Sequence, residues 1–139
     1  MAISALLLLT LGGASEPGSV DAAVSGLRST KGQVLACLTS RPDRFPDCQQ
    51  DPHARRLTVA ASQAGELRFA DLPSGDYAIA LIHDENGNNK LDTIMGIPKE
   101  GFGFSRNPAI RFGAPKFAAA QFSVTSGSVD EGVRLRYLL

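Results

Sequence analysis

The fold class is decided by residues 71–83, which read Asp-Leu-Pro-Ser-Gly-Asp-Tyr-Ala-Ile-Ala-Leu-Ile-His. Pro73 fixes φ for a turn and Gly75 can adopt a positive φ, so the chain is expected to reverse direction here. After the turn, Tyr77, Ile79 and Leu81 alternate on one face of a segment that ends at residue 83. The stretch therefore predicts a turn that leads into a β-strand, with Tyr77 as an aromatic anchor.

Short alternating segments of this kind recur along the chain, and turn residues separate them. In the last segment, Val133, Leu135 and Tyr137 alternate with Arg134 and Arg136, which is the pattern of one buried and one exposed face. Seven strands are predicted, at residues 20–27, 33–39, 57–61, 67–70, 76–83, 121–125 and 132–137.

These strands follow one another without a long helical pattern between them, which favours two antiparallel sheets packed face to face. The expected fold class is all-β: an antiparallel β-sandwich of about seven strands, immunoglobulin-like or transthyretin-like. The turn supports this expectation, because Leu72-Pro73-x-Gly75-x-Tyr77 resembles the Leu-Pro-x-Gly-x-Tyr turn of transthyretin-like and carboxypeptidase-regulatory-like sandwiches. That resemblance implies a fold and no activity.

Composition and charge narrow the class of partner. The chain has 139 residues, with 14 Lys plus Arg balanced by 14 Asp plus Glu. This balance supplies no basic field for nucleic acid or for an anionic membrane, so neither partner is expected. The 14 Gly and 8 Pro, with no Trp, fit a turn-rich all-β chain. Residues 16–139 have the size of a single domain.

The first 15 residues resemble a secretory signal peptide. The apolar run at residues 5–11 precedes the small residues Gly12, Gly13, Ala14 and Ser15, and it is too short to cross a membrane. No Lys or Arg precedes the run, and a buried first strand or helix is the alternative. We therefore expect an exported protein, periplasmic or extracellular, with no transmembrane span in its mature chain.

Cys37 and Cys48 are the two cysteines of the chain, and in an exported protein an even number favours a disulfide. The alternatives are two unrelated buried thiols or a zinc site with His53, for which two Cys and one His are too few ligands.

The polar segment 84–92 is the candidate metal site. Calcium binds about six to eight oxygen atoms, and loops of the D-x-[DN]-x-[DN] type supply them by curling around the ion. The candidate ligands are the side chains of Asp84, Asn86, Asn88 and Asp92 and the carbonyl of Lys90.

Two positions depart from the calcium-loop pattern. Asn89 replaces the usual Gly, and Met95 replaces the usual bidentate Glu. Asn tolerates the left-handed conformation, whereas the missing carboxylate would have to come from Glu85, Asp130 or Glu100, or be replaced by water. The alternative is a turn that Asx hydrogen bonds hold without an ion.

Residues 96–117 are too long for an ordinary hairpin connection, and loops of this length are usually functional or disordered. Four aromatic residues argue against disorder and for a cap that folds inward over the end of the sandwich. The cap residues are Phe102, Phe104, Arg106, Arg111, Phe112 and Phe117. The alternative is that the cap and the polar turn form one recognition surface.

Catalysis is not expected. His83 directly precedes Asp84, but adjacent strand residues point to opposite faces, so the pair does not form a base and its orienting group. A core or strand-end histidine is the better interpretation. The sequence contains no nucleophile elbow, zinc-protease motif or phosphate-binding glycine loop.

Three central blocks carry a family resemblance, at residues 83–93, 96–105 and 111–117. They resemble domain-of-unknown-function family 2141, a family of short exported bacterial proteins, over residues 20–138. The resemblance implies a sandwich outside the cytoplasm and no catalytic residue. We therefore expect an exported binding or accessory domain that acts on an unknown protein or envelope component. The alternative is a protein-interaction module that uses residues 96–117 without an ion.

Overall fold

A computed structural model describes residues 16–111 and 113–139. The predicted leader and the predicted cap residue Phe112 lie outside the described residues. Strands are the predominant secondary structure of the described part, which confirms the all-β class. The strands are β1 (Gly18–Ser25), β2 (Gln33–Thr39), β3 (Arg55–Ala60), β4 (Glu66–Leu72), β5 (Gly75–Asp84), β6 (Thr93–Ile94), β7 (Ile97–Pro98), β8 (Gly101–Phe104), β9 (Phe122–Val124) and β10 (Gly127–Arg134). One short helix, α1 (Phe117–Ala120), and two 3₁₀ turns, Pro42–Arg44 and Ala61–Gln63, complete the described elements.

The strands form two main sheets and a small hairpin. The three-stranded sheet has the order β10-β1-β4, and the larger sheet has the order β3-β2-β5-β8. Strand β9 pairs with the start of β5, while β8 pairs with its end. Strands β6 and β7 pair only with each other. One pairing differs from the antiparallel expectation, because β1 and β10 run parallel.

The main core lies between the two sheets. Strand β2 buries alternate side chains, as predicted, and the alternation of β10 extends to buried Leu135. The core residues from the strands are Val20, Ala22, Leu67, Phe69, Leu72, Val34, Ala36, Leu38, Tyr77, Ile79, Leu81, Val124 and Val133, with Ala64 and Leu135 beside them. The packing of these side chains removes the apolar faces of both sheets from water, as a sandwich requires.

Strand β5 is buried on both faces. Its Tyr77, Ile79 and Leu81 face the main core, whereas Ala78 and Ala80 contact a second cluster on the outer face of the larger sheet. That cluster contains Phe102, Phe104, Phe117 and Ala120, with Phe45 and Ile110 packed against it. The aromatic cap was expected over the end of the sandwich. It covers the outer face of the larger sheet instead, because β8 joins β5 within that sheet.

The turn that opens the strand is where the sequence predicts it, with a different residue in the left-handed conformation. Asp71 has a φ of 55°, whereas Gly75 is already part of β5. The Tyr77 hydroxyl donates a hydrogen bond of 2.6 Å to the carbonyl of Pro73. This bond links the start of β5 to the chain reversal that precedes it.

Cys37 and Cys48 form the predicted disulfide, with their Cα atoms 6.3 Å apart. It joins β2 to the loop that follows the first 3₁₀ turn. Thr39, the last residue of β2, donates a hydrogen bond from its hydroxyl to the buried carboxylate of Asp51 in the same loop. Among the helices that the structure describes, none combines the length and apolar character needed to cross a membrane.

Candidate functional site

Four of the five predicted calcium ligands lie in the loop that connects β5 to the β6–β7 hairpin, and the fifth, Asp84, ends β5 directly before that loop. Asp84, the last residue of β5, is completely buried. Its carboxylate accepts hydrogen bonds from the backbone N–H of Asn88 (3.2 Å) and Asn89 (2.8 Å), and from the amide of Gln33 (2.8 Å). The buried Asp84 carboxylate therefore stabilises the loop, and both of its oxygen atoms already accept hydrogen bonds.

Two left-handed residues allow the loop to curl. Gly87 has a φ of 70° and Asn89 a φ of 63°. Asn89 occupies the position where calcium loops usually have Gly, and Asn is among the few residues that tolerate this conformation. The Asn89 amide oxygen also accepts a hydrogen bond from Gln33, at 2.7 Å. The backbone thus takes the shape that the calcium-loop pattern requires at this residue.

Three of the predicted ligands converge at the far side of the loop. The side-chain amides of Asn86 and Asn88 each donate a 2.7 Å hydrogen bond to the Asp92 carboxylate, one to each oxygen. Rotation of either amide by 180° would direct its oxygen towards Asp92. The backbone N–H of Lys90 donates to the Asn88 side chain at 3.2 Å, so the carbonyl of Lys90 is held within the same loop.

Glu100 folds back against both ends of the loop. Its carboxylate accepts hydrogen bonds from the backbone N–H of Glu85 (2.6 Å) and of Asp92 (3.1 Å). Only 4% of Glu100 is exposed. It was one of three residues that sequence reasoning named for the missing carboxylate. The sequence did not select it, because Glu100 lies beyond the hairpin and only the fold brings it back.

The two neighbouring carboxyl groups have opposite pKa shifts. Hydrogen bonds from Asn88 and Asn86 lower the pKa of Asp92. Burial raises the pKa of Glu100, and the negative charge of Asp92 raises it further, against the hydrogen bonds from the two backbone N–H groups. A positive charge beside the pair would therefore stabilise the ionised form of Glu100.

The five predicted ligands do not form a complete metal centre as they stand. Asn86, Asn88 and Asp92 are brought together, whereas Asp84 is directed at backbone N–H groups. Within residues 16–111 and 113–139, no three His, Cys, Asp or Glu side chains lie close enough to hold a metal ion. The loop therefore places two amide N–H donors against the Asp92 carboxylate, and the buried carboxylate of Glu100 accepts hydrogen bonds from the backbone at both ends of the loop.

A second polar cluster, which sequence reasoning missed, lies beside the loop. Arg28 Nε donates to Glu85 at 2.9 Å, and the Ser29 hydroxyl donates to the same carboxylate at 3.0 Å. The Arg28 guanidinium also lies over the ring of Tyr137, 4.4 Å from its centroid. No motif signals this cluster, because its members come from distant parts of the sequence.

His83 is buried in a hydrogen-bonded position. Its Nε2 lies 2.7 Å from the carbonyl of Lys31, and its Nδ1 lies 2.7 Å from the Tyr137 hydroxyl. Because a carbonyl only accepts, Nε2 carries a proton and donates to Lys31, and in the neutral imidazole Nδ1 accepts from the Tyr137 hydroxyl. Both nitrogens are therefore occupied, in agreement with a strand-end core histidine.

The predicted cap residues have two different environments. Phe102 and Phe104 are 7% and 8% exposed and belong to the second core, so they are not available as surface contacts. Arg106 and Arg111 are exposed. The backbone N–H of Arg106 donates to Glu131 at 3.2 Å, which fixes this part of the cap to β10.

Comparison with known proteins gives one family. The model of a family described as "Uncharacterized protein conserved in bacteria (DUF2141)" matches residues 22–131, which is most of the chain. Comparison with curated proteins and with solved structures gives no match.

Proposed function

The chain belongs to the DUF2141 family of bacterial proteins, and on that premise we propose that it is an exported binding or accessory domain whose loop 84–92 binds calcium for structural purposes. The observation that carries the proposal is the convergence of Asn86 and Asn88 on the two oxygens of the Asp92 carboxylate. Amide and carboxylate oxygens are ligands that calcium prefers, and a 180° rotation of each Asn amide would turn its oxygen, in place of its N–H group, towards the Asp92 carboxylate.

The surroundings of the loop support an ion at this position. The left-handed Asn89 gives the backbone the curl of a calcium loop. Glu100 brings a further buried carboxylate next to Asp92, at a cost in desolvation that its raised pKa reflects. A bound calcium ion would offset the repulsion between these two groups, so the site would stabilise the fold rather than perform chemistry.

Export is supported by the disulfide. Disulfides persist in oxidising compartments and are rare in the reducing cytosol of mesophilic bacteria. The Cys37–Cys48 pair therefore fits the exported location that the leader predicts. A periplasmic or extracellular location also supplies calcium at the concentrations that a weak site requires.

Calcium titration tests the proposal. With a dissociation constant of about 10⁻⁴ to 10⁻³ M, 10 mM calcium should add about 1.4 to 2.7 kcal/mol to the free energy of unfolding. Scanning calorimetry should therefore show a higher Tm in calcium than in magnesium at equal ionic strength. The variant Asp92→Asn should lose most of this shift.

The matched control is Glu66→Gln, which removes an exposed carboxylate in β4, outside the loop. It should keep the full calcium shift. A Tm that calcium does not move, or an equal shift in Asp92→Asn and the wild type, would show that the loop is an ion-free Asx turn.

The protein-interaction alternative stays a prediction. The exposed Arg106 and Arg111 are the cap side chains that a partner could reach, since Phe102 and Phe104 are buried.

A further inference from the structure

The hairpin that follows the polar loop has an unusual composition for an exposed turn. Ile94 pairs with Ile97, and Thr93 pairs with Pro98. Met95 and Gly96 form the two-residue turn with φ values of 52° and 80°. Positive φ at both positions is typical of the tight turns that join two antiparallel strands, so the apolar residues are presented on a well-defined hairpin.

The apolar side chains of this hairpin are exposed to solvent. Met95 is 96% exposed, Ile94 49% and Ile97 45%. Of the large apolar residues that the structure describes, only Leu138 and Leu139 are otherwise exposed to a similar degree. A Cβ atom added at Gly96 would meet nothing within 4 Å, so the tip stands clear of the rest of the described chain.

The base of the hairpin is held firmly. The backbone N–H of Lys99 donates to the carbonyl of Asp92 at 2.8 Å. Buried Glu100 accepts from the backbone N–H of Asp92. The base of the hairpin is therefore fixed by hydrogen bonds, whereas its tip is exposed.

Two lysines flank the hairpin, one on each side. Lys90 and Lys99 are both exposed, and neither takes part in a salt bridge within the described ranges. Lys90 lies near enough to Asp92 for its charge to help lower the pKa of that carboxyl. Lysine combines a long apolar stem with a charged end, so a lysine beside an inserted hairpin is suited to a headgroup phosphate. Apolar tips flanked by lysines are suited to the boundary between phospholipid headgroups and acyl chains.

We propose that the hairpin 93–98 inserts its apolar tip into the surface of a phospholipid bilayer, with Lys90 and Lys99 at the headgroup phosphates. A stable protein interface buries about 800 Å² on each partner, which a six-residue hairpin with three apolar side chains does not supply. A bilayer surface requires only shallow insertion. The balanced charge of the whole chain excludes strong electrostatic attraction, so the binding is weak and depends on the tip.

This proposal does not depend on calcium in the loop. Vesicle binding is therefore measured both in EDTA and in calcium, while the Tm titration described above decides the ion question separately. The probe is a vesicle of phosphatidylethanolamine and phosphatidylglycerol, mixed with the full chain and sedimented.

The wild type should sediment with the vesicles, and Met95→Ser should lower the partition coefficient about tenfold, because it removes the most exposed apolar side chain of the tip. Met95→Leu keeps an apolar side chain and should bind as the wild type does. The double variant Lys90→Gln/Lys99→Gln should bind more weakly than the wild type. The control is Lys116→Gln, at an exposed lysine before α1. It should bind vesicles as strongly as the wild type.

Two results would overturn the proposal. One is equal vesicle partition of Met95→Ser and the wild type, or no partition of either. The other is a dimer in solution, measured by light scattering after gel filtration, that Met95→Ser dissociates, since the hairpin would then contact a second copy of the chain.

Discussion

At the scale of single residues, the alternation of Gly and Phe in β8 gives the strand two different faces. One face packs into the second core, and the other lies against the end of β10 and the Tyr137 ring. Phe102 and Phe104 enter the second core on the outer face of the larger sheet. Gly101 and Gly103 face the opposite side, where the chain after β10 passes closely. A Cβ at Gly103 would lie 2.8 Å from the carbonyl oxygen of Arg134. Glycine at these positions is therefore required by close approach.

Substitution at Gly101 tests this explanation. A Cβ there would lie 2.5 Å from a ring carbon of Tyr137, and that ring is held by His83 and Arg28. We expect Gly101→Ala to lower the free energy of unfolding by about 1–3 kcal/mol, measured by urea denaturation. Gly132→Ala, where an added Cβ meets nothing within 4 Å, should change it by less than about 1 kcal/mol. Equal effects of the two substitutions would contradict the packing argument.

At the scale of elements, the sequence predicts the longer strands, in which apolar and polar residues alternate, and misses the three short strands β6, β7 and β8. Strand β2 is found at the predicted residues 33–39, and β5 extends one residue beyond each predicted end. Strand β8 was missed because glycine, which is depleted in strands, occupies two of its four positions. The hairpin β6–β7 was missed because its strands have two residues each, too few to show a period.

The candidate site was predictable in position but not in arrangement. Alternate oxygen-bearing residues located the loop 84–92. The sequence could not show that Asp84 turns inward to the backbone N–H groups of Asn88 and Asn89, or that Glu100 closes the loop. Both facts depend on where the chain returns after the hairpin. The parallel pairing of β1 and β10 was missed for the same reason, since strand patterns do not show which strands become neighbours.

The disulfide gives a prediction at the same scale, because it fixes the loop after β2. The 11-residue separation of Cys37 and Cys48 should stabilise the fold by about 2–3 kcal/mol through the entropy of the unfolded chain. Reduction should lower the free energy of unfolding by that amount, measured by urea denaturation with and without dithiothreitol. The double variant Cys37→Ala/Cys48→Ala should have the lower stability already and should not respond to the reductant. A free energy of unfolding that reduction leaves unchanged would show that the disulfide does not stabilise the fold.

At the scale of the whole molecule, Arg28 joins segments that are far apart in sequence. Besides Glu85 and the Tyr137 ring, its guanidinium donates to the carbonyls of Lys99 (3.1 Å) and Leu139 (2.7 Å). One side chain thus connects the end of β5, the base of the hairpin and the last residues of the chain. Charge-assisted bonds of this kind are stronger than neutral ones.

The pair of Arg28 and Glu85 predicts a pH dependence of stability. The hydrogen bond from Arg28 lowers the pKa of Glu85 in the folded protein, and the bond from Ser29 adds to this. A folded pKa below the unfolded pKa means that the ionised pair stabilises the fold at neutral pH, and that this contribution is lost as pH falls through the folded value.

Urea denaturation of the wild type and Glu85→Gln should therefore differ by about 1 kcal/mol at neutral pH. The difference should approach zero once Glu85 is protonated. Glu66→Gln, at an exposed position in β4, is the control and should follow the wild type at every pH. A difference between Glu85→Gln and the wild type that stays constant with pH would contradict the assignment.

The position of β1 in the smaller sheet determines when that sheet can form during synthesis. This strand lies between β4 and β10, the last strand that the structure describes, with Gly18 opposite Gly127. A chain made from its N-terminus cannot complete the smaller sheet until β10 has been synthesised. Such distant pairing slows folding, which is compatible with the export proposed above, because a chain passes through a translocation channel while it is unfolded.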